Sequence, residues 1–193
     1  MARIKRLCVF CGSSSRGAPA YRLAAVRLGQ LLAEHGIGLV YGGGRVGLMG
    51  AMADAALERG GEVTGVIPGH LHDREIGHTG VTHLHVVGDM HERKRRMAEL
   101  ADAFAVLPGG FGTLEEALEA ITWKQLGLHD KPIFLVDVEG YWEKLIGLFE
   151  HVVAEGFAGR EARSLYRVVK RVEDIFPALR QAPQPHPADT ERI

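Results

Sequence analysis

The sequence predicts one α/β domain: a parallel sheet with helices on both faces. Three observations lead there. Short apolar or β-branched runs alternate with stretches in which apolar residues recur every three and four positions, the pattern of strand and amphipathic helix in turn. The runs leave into glycine or serine, as in "CGSSS", "GGGRVGLMG", "IPGHLHDREIG" and "PGGFGT", so several turns gather at one edge of the sheet. A chain of 193 residues is long enough for one domain with a real core and short for two.

The elements follow in order. "LCVFC" predicts a strand over 7–11 and the periodic stretch after it a helix over 20–34. A strand over 38–41 leads into a helix over 48–59, and a strand over 62–67 is followed by a loop and another strand over 83–87. A helix over 92–100, a strand over 104–107, a helix over 113–126, a strand over 133–136 and a helix over 141–155 continue the alternation. A last strand over 167–169 and a short helix over 172–180 close the domain, which is read as 1–180. The tail 181–193, "QAPQPHPADTERI", is proline-rich and polar and is expected to be flexible. In an open parallel sheet the ligand sits beyond the carboxyl ends of the strands, where the glycine turns lie.

Composition narrows the function. With 46% hydrophobic and 24% charged residues the chain is an ordinary globular protein, and a net charge of -1 lacks the basic footprint of a general nucleic-acid binder. No stretch is long and apolar enough to span a bilayer, and the apolar run at 7–11 is too short for a signal sequence, so a cytoplasmic protein with no membrane or nucleic-acid partner is expected. Cys8 and Cys11 have C-x-x-C spacing, but Cys8 lies inside a strand and no second pair exists to complete a zinc site; both are read as packed thiols. His70 with His72 and His83 with His85 lack an evident third ligand, so neither a metal nor another cofactor is expected.

The glycine turns divide unequally. Gly42, Gly44 and Gly47 form G-x-G-x-x-G after a strand, yet the acid wanted at the end of the next strand is missing: Glu62 begins that strand, and Ile67 and Pro68 occupy its far end. A dinucleotide is disfavoured, and so is an NTPase, for neither turn continues into Gly-Lys-Ser/Thr. "PGGFGT" is better suited to one phosphate, held by backbone N–H groups at a helix start with the Thr113 hydroxyl as a further donor. A capping box running from Thr113 to Glu116 is the plainer alternative, although it leaves the glycines unexplained. In "GDMHERKRRM" the four cations Arg93 to Arg96 turn through about 100° each, so one or two face the crevice and the others solvent.

With "GGGRVGLMG", "REI", "MHERK", "PGGFGTLEE" and "ITWKQLGLHDKP" in this order, the chain resembles the Lonely Guy (LOG) family of cytokinin riboside 5'-monophosphate phosphoribohydrolases from "CVFCGSS" to about residue 155. Some members have been labelled lysine decarboxylases, for which no pyridoxal phosphate pattern is evident here. The resemblance implies a Rossmann-like fold, a homodimer, and hydrolysis of the N-glycosidic bond of an adenosine 5'-monophosphate type nucleotide to free base and ribose 5-phosphate. It carries a catalytic pair onto Arg93 and Glu116. Substrate contacts are carried onto Glu75, Arg93, Lys94, Gly109, Gly110, Phe111, Gly112, Thr113, Leu114, Glu115 and Thr122. A carboxylate near the ribose would stabilise an oxocarbenium-like sugar while the glycine turn holds the phosphate. A non-catalytic carrier of a nucleotide or of the molybdenum cofactor on the same fold is the alternative, which need not have both Arg93 and Glu116. Met90 and Met97 are candidates for an apolar base pocket; Trp123, Trp142 and Phe149 are read as core before interface.

Overall fold

The computed structural model describes residues 4–72 and 77–182. Seven strands form one parallel sheet: β1 (Arg6–Phe10), β2 (Gly38–Tyr41), β3 (Val63–Pro68), β4 (His83–Val87), β5 (Ala103–Val106), β6 (Ile133–Val136) and β7 (Arg167–Val169). Their order across the sheet is β4-β3-β2-β1-β5-β6-β7, every neighbouring pair parallel. The helices are α1 (Pro19–Glu34), α2 (Gly47–Leu57), the single turn α3 (Gly69–Leu71), α4 (Met90–Leu100), α5 (Phe111–Gln125), α6 (Glu143–Ala154) and α7 (Ile175–Gln181). The predicted bounds of β2, β4, β6 and β7 coincide with the observed ones, whereas α4 and α5 each begin two residues earlier than periodicity indicated.

Period two sorts the strands between two cores. In β1 and the residue after it, Leu7, Val9 and Cys11 face a layer with Leu28 and Leu32 of α1, Met52 of α2 and Phe176 of α7. Cys8 and Phe10 face the other layer with Met97 of α4, Ala117 of α5, Phe104 and Trp142. An interval of three therefore puts the two cysteines on opposite faces of the sheet, and both are free thiols held in the neutral form by burial. Strands β2, β3, β5 and β6 are buried throughout, and β1 is buried after Arg6, as the near-continuous apolar runs of a sheet covered on both faces require. Among the described residues no helix is long and apolar enough to cross a membrane.

The strand order fixes where a ligand can enter. The chain winds outward from β1 to β4 and returns through α4 to β5, on the other side of β1, so the switch point lies between β1 and β5. There the loops nearly touch: the Gly12 N–H donates to the Pro108 carbonyl at 3.0 Å. A Cβ on Gly12 would come within 3.2 Å of the Gly109 Cα.

Candidate active site

Two helix starts meet the carboxyl edge of the sheet. Helix α4 begins after Asp89, whose extended backbone (φ -148°) and carboxylate make it an N-cap: its side chain accepts from the Glu92 N–H at 2.8 Å. Glu92 reaches back to accept from the Gly88 N–H at 2.7 Å, one residue before the N-cap, so a second carboxylate closes this helix start. Side chains from "DMHE" thus close this end, and the capping box weighed as the plainer alternative at Thr113 and Glu116 does not form. Helix α5 instead begins after Gly110 (φ -92°, ψ -156°), with no side chain capping it. Thr113 and Glu116 lie inside the helix on its buried face, with Ala117, Ala120 and Ile121.

The Thr113 hydroxyl, expected to donate to an anion, is buried beneath the glycine turn, where a Cβ on Gly109 would collide with it. Gly109 is thus demanded by packing. Gly110 and Gly112 are different: a Cβ on either would meet nothing within 4 Å. Their backbone faces open space, in keeping with room for a ligand and not with any need of the fold. Phe111 between them is 92% exposed, Leu114 is half-buried, and Glu115 is exposed. Beside Gly109 and Gly110 opens a cleft of about 310 Å³, also lined by Ser13, Ser14, Arg22 and Tyr141.

Of the four consecutive cations, Arg93 and Lys94 are buried with Met97 and Ala98 on the inner face of α4. The Arg93 guanidinium ties three elements together. Nη1 donates to Oε1 of Glu116 at 2.7 Å, Nε to the Val66 carbonyl at 3.1 Å and Nη2 to the Gly42 carbonyl at 3.4 Å. Gly42 must lack a side chain because a Cβ there would occupy the position of the guanidinium. The Lys94 ammonium is shared between Glu115 and Glu119, the latter at 3.0 Å. Burial works against its charge, but the two carboxylates outweigh that and raise its pKa above the usual lysine value.

Glu116 is 8% exposed, and burial pushes its pKa above the ordinary glutamate value, the charge and hydrogen bond of Arg93 offsetting only part of the desolvation. Removing either partner would strand a buried charge at a cost on the order of 3–5 kcal/mol. The pair is therefore an arrangement that simple packing does not favour. A carboxylate so held is a fixed negative charge of low mobility, suited to stabilising developing positive charge on a sugar ring.

Other candidates separate from this group. Thr122 is exposed on α5, about 18 Å along the helix axis from Gly110. It lines a groove between α5 and α6 with Ile121, Phe149 and Val152. Glu75 lies outside the described residues. Met97 is 1% exposed in the core, and of the two methionines only Met90 reaches the surface. Trp142 is core as expected, while Trp123 and Phe149 are partly buried against it. His83 pairs at 3.7 Å with Glu62, and among the described residues no three His, Cys, Asp or Glu side chains converge at metal-binding spacing. Sequence reasoning did not nominate Tyr141, whose hydroxyl donates to the Gly109 carbonyl at 2.5 Å; its only signal was an aromatic residue after a Glu-Gly turn.

Known proteins resemble this chain at two levels. A family model described as "Possible lysine decarboxylase" matches residues 49–179. The Arabidopsis thaliana cytokinin riboside 5'-monophosphate phosphoribohydrolase LOG1 is 48% identical, over 91% of this chain and 86% of that protein. LOG7 of the same plant is 48% identical over 93% and 83%, and the Oryza sativa enzyme LOG is 48% identical over 85% and 68%. Among solved structures, a molybdenum cofactor carrier protein from Chlamydomonas reinhardtii superposes with a TM-score of 0.71, covering 93% of this chain and 98% of that one, at 24% identity. A molybdenum cofactor binding protein from Rippkaea orientalis gives 0.71 at 20% identity, over 94% and 98%. At such identities they share the fold, here a Rossmann-like one. Model match and plant relatives together establish that this chain belongs to the LOG family within the group described as possible lysine decarboxylases.

Proposed function

We propose that the protein hydrolyses the N-glycosidic bond of adenosine 5'-monophosphate type nucleotides, releasing the base and ribose 5-phosphate. The observation that carries this reading is a buried Arg93–Glu116 pair within two turns of an uncapped, glycine-lined helix start. The 5'-phosphate lies against the N–H groups that open α5, where Gly110 and Gly112 leave room and the helix dipole favours an anion. Glu116 stabilises the oxocarbenium-like ribose or orients water toward it, and Arg93, permanently charged, fixes that carboxylate and adds an electrostatic contact to the substrate. Lys94, Glu115, Phe111 and Leu114 form the rim, with Glu75 as a further contact carried over from the family.

The names of the plant relatives support this reaction, since each is called a phosphoribohydrolase acting on a cytokinin riboside 5'-monophosphate. A carrier without turnover has weaker support, because the carrier proteins resemble this chain in fold alone. Two free thiols fit a reducing compartment, and the cytoplasm is the proposed location.

A homodimer belongs to the same proposal. Phe111 and Leu118 on α5, Leu126 just after it, Leu148 on α6 and Phe157 expose apolar surface on neighbouring elements, and no residue of α6 is fully buried. Thr122 lies in the groove of this face, too far along α5 to serve the glycine turn of its own chain, so its substrate contact is assigned to the site of a second copy.

The test is chromatographic. Purified protein incubated with AMP and with N6-isopentenyladenosine monophosphate releases free base and ribose 5-phosphate from at least one of them. Recovery of both nucleotides bound but intact would return the carrier reading to first place.

A further inference from the structure

The turn after β6 is built with unusual care for a surface connection. Glu139 is the one non-glycine residue with positive φ (53°) among those described, and it is followed by Gly140 at φ 71°. A non-glycine residue in the left-handed region is costly and persists only where its surroundings hold it, whereas Gly140 takes its own positive φ freely. Here the holder is Asp137, whose side chain is fully buried and accepts from the Trp142 N–H at 2.7 Å and from Lys170 Nζ at 2.5 Å. The Trp142 indole N–H in turn donates to the Val106 carbonyl at 3.3 Å, anchoring the turn to the end of β5.

Between Gly140 and Trp142 stands Tyr141. Its ring is fixed edge-on by Tyr21 at 5.3 Å and Trp142 at 4.7 Å, and its hydroxyl donates to the Gly109 carbonyl at 2.5 Å. A trans peptide is planar, with C=O and the next N–H on opposite edges, and there are no cis bonds among the described residues. Holding the Gly109 carbonyl therefore fixes the direction of the Gly110 N–H, the first donor of the proposed cradle. The need is real, because glycines on either side of that peptide leave its plane free to rotate.

Resting on the phosphate reading of the glycine turn, we propose that Tyr141 is a positioning residue: its hydroxyl locks the Gly109–Gly110 peptide so that the cradle is formed before the nucleotide 5'-phosphate arrives. Preorganisation of this kind acts on phosphate affinity and leaves the chemistry at the sugar alone.

The test is Tyr141→Phe, which keeps the ring and its aromatic contacts and removes the hydroxyl alone. Calorimetric titration with ribose 5-phosphate reads the cradle directly, with ribose as the phosphate-free control. We expect binding of ribose 5-phosphate to weaken about five- to tenfold, the worth of one hydrogen bond. KM for the nucleotide rises by the same factor with kcat within about twofold, and the melting temperature falls by no more than about 2–4 °C, so that both proteins stay folded in the assay. Equal dissociation constants for the two proteins would overturn the proposal, as would a loss confined to kcat or a lowered melting temperature that accounts for the weaker binding. If neither protein releases base while the expected difference in ribose 5-phosphate binding is seen, the reaction is wrong and the role of Tyr141 stands.

Discussion

Helices α4 and α5 leave the same edge of the same sheet, and their first turns are built in opposite ways. At α4 the unpaired N–H groups are met from within: Asp89 accepts from Glu92, and Glu92 returns to Gly88. Its dipole is already complemented by two carboxylates, and an incoming anion would be repelled. At α5 no side chain caps the turn, and open space lies over Gly110 and Gly112. The acids at that helix face elsewhere, Glu115 toward Lys94 and Glu116 toward Arg93. The contrast separates an end finished for stability from one left incomplete for a ligand.

The sharpest break in the comparison is at the acid that α5 does hold. Glu116→Gln keeps the shape of the pair and is expected to lower base release by about 10²–10³-fold with nucleotide binding retained; near-normal turnover in a steady-state assay would reduce Glu116 to a structural partner of Arg93. Giving α5 the closed start of α4 is nearly as severe. In Gly110→Asp the extended backbone already suits an N-cap, so the helix gains a few tenths of a kcal/mol. Phosphate binding by calorimetry falls about 100-fold or more, through a carboxylate set where the anion should sit. Stability and binding then move in opposite directions, which mere misfolding cannot produce.

Two smaller effects are read with pH. If Glu116 works as the carboxylate, kcat/KM rises as the pH passes upward through its pKa, and burial moves that acid limb above the ordinary glutamate value of about 4.3. A limb at or below that value would assign the ionisation to a solvated acid. Asp89, whose pKa is lowered chiefly by the Glu92 N–H, contributes stability that is full above the ordinary aspartate value and lost as the pH falls through the depressed one. Asp89→Ala therefore costs a few degrees in melting temperature at neutral pH and nothing in strong acid. Its ribose 5-phosphate affinity is unchanged, since it closes the end that binds no anion.

Much of this was legible in residue order, and what was missed has definite causes. The run "IFLV", bounded by loop residues, marked β6 to the residue, whereas β1 and β5 were read one residue late because the buried Cys11 and Leu107 continue the apolar run past the strand end. Capping was ambiguous: "TLEE" and "DMHE" both offer an acid three residues after a possible cap, and only the backbone angles at Asp89 and Gly110 decide which helix starts where. The four-cation run told only that one or two would turn inward; the family resemblance named Arg93 and Lys94, and both lie on the inner face of α4 with Met97 and Ala98. Spacing could not put Thr122 in the groove beside α6, nor join Tyr141 to Gly109 across 32 positions of chain.

The return of the chain from β4 to β5 has a consequence for the order in which the molecule assembles. Arg93 belongs to the helix that makes this return, its guanidinium resting on the ends of β2 and β3, while its carboxylate partner arrives only with α5. Along the chain, β1 to β4 and α4 bring the Arg93 cation before its counter-charge, and α5 then supplies both that counter-charge and the open helix end. Ligand affinity during refolding is then a clock for that docking: a nucleotide added early finds nothing to hold it, and one added late stabilises only chains whose two halves have closed.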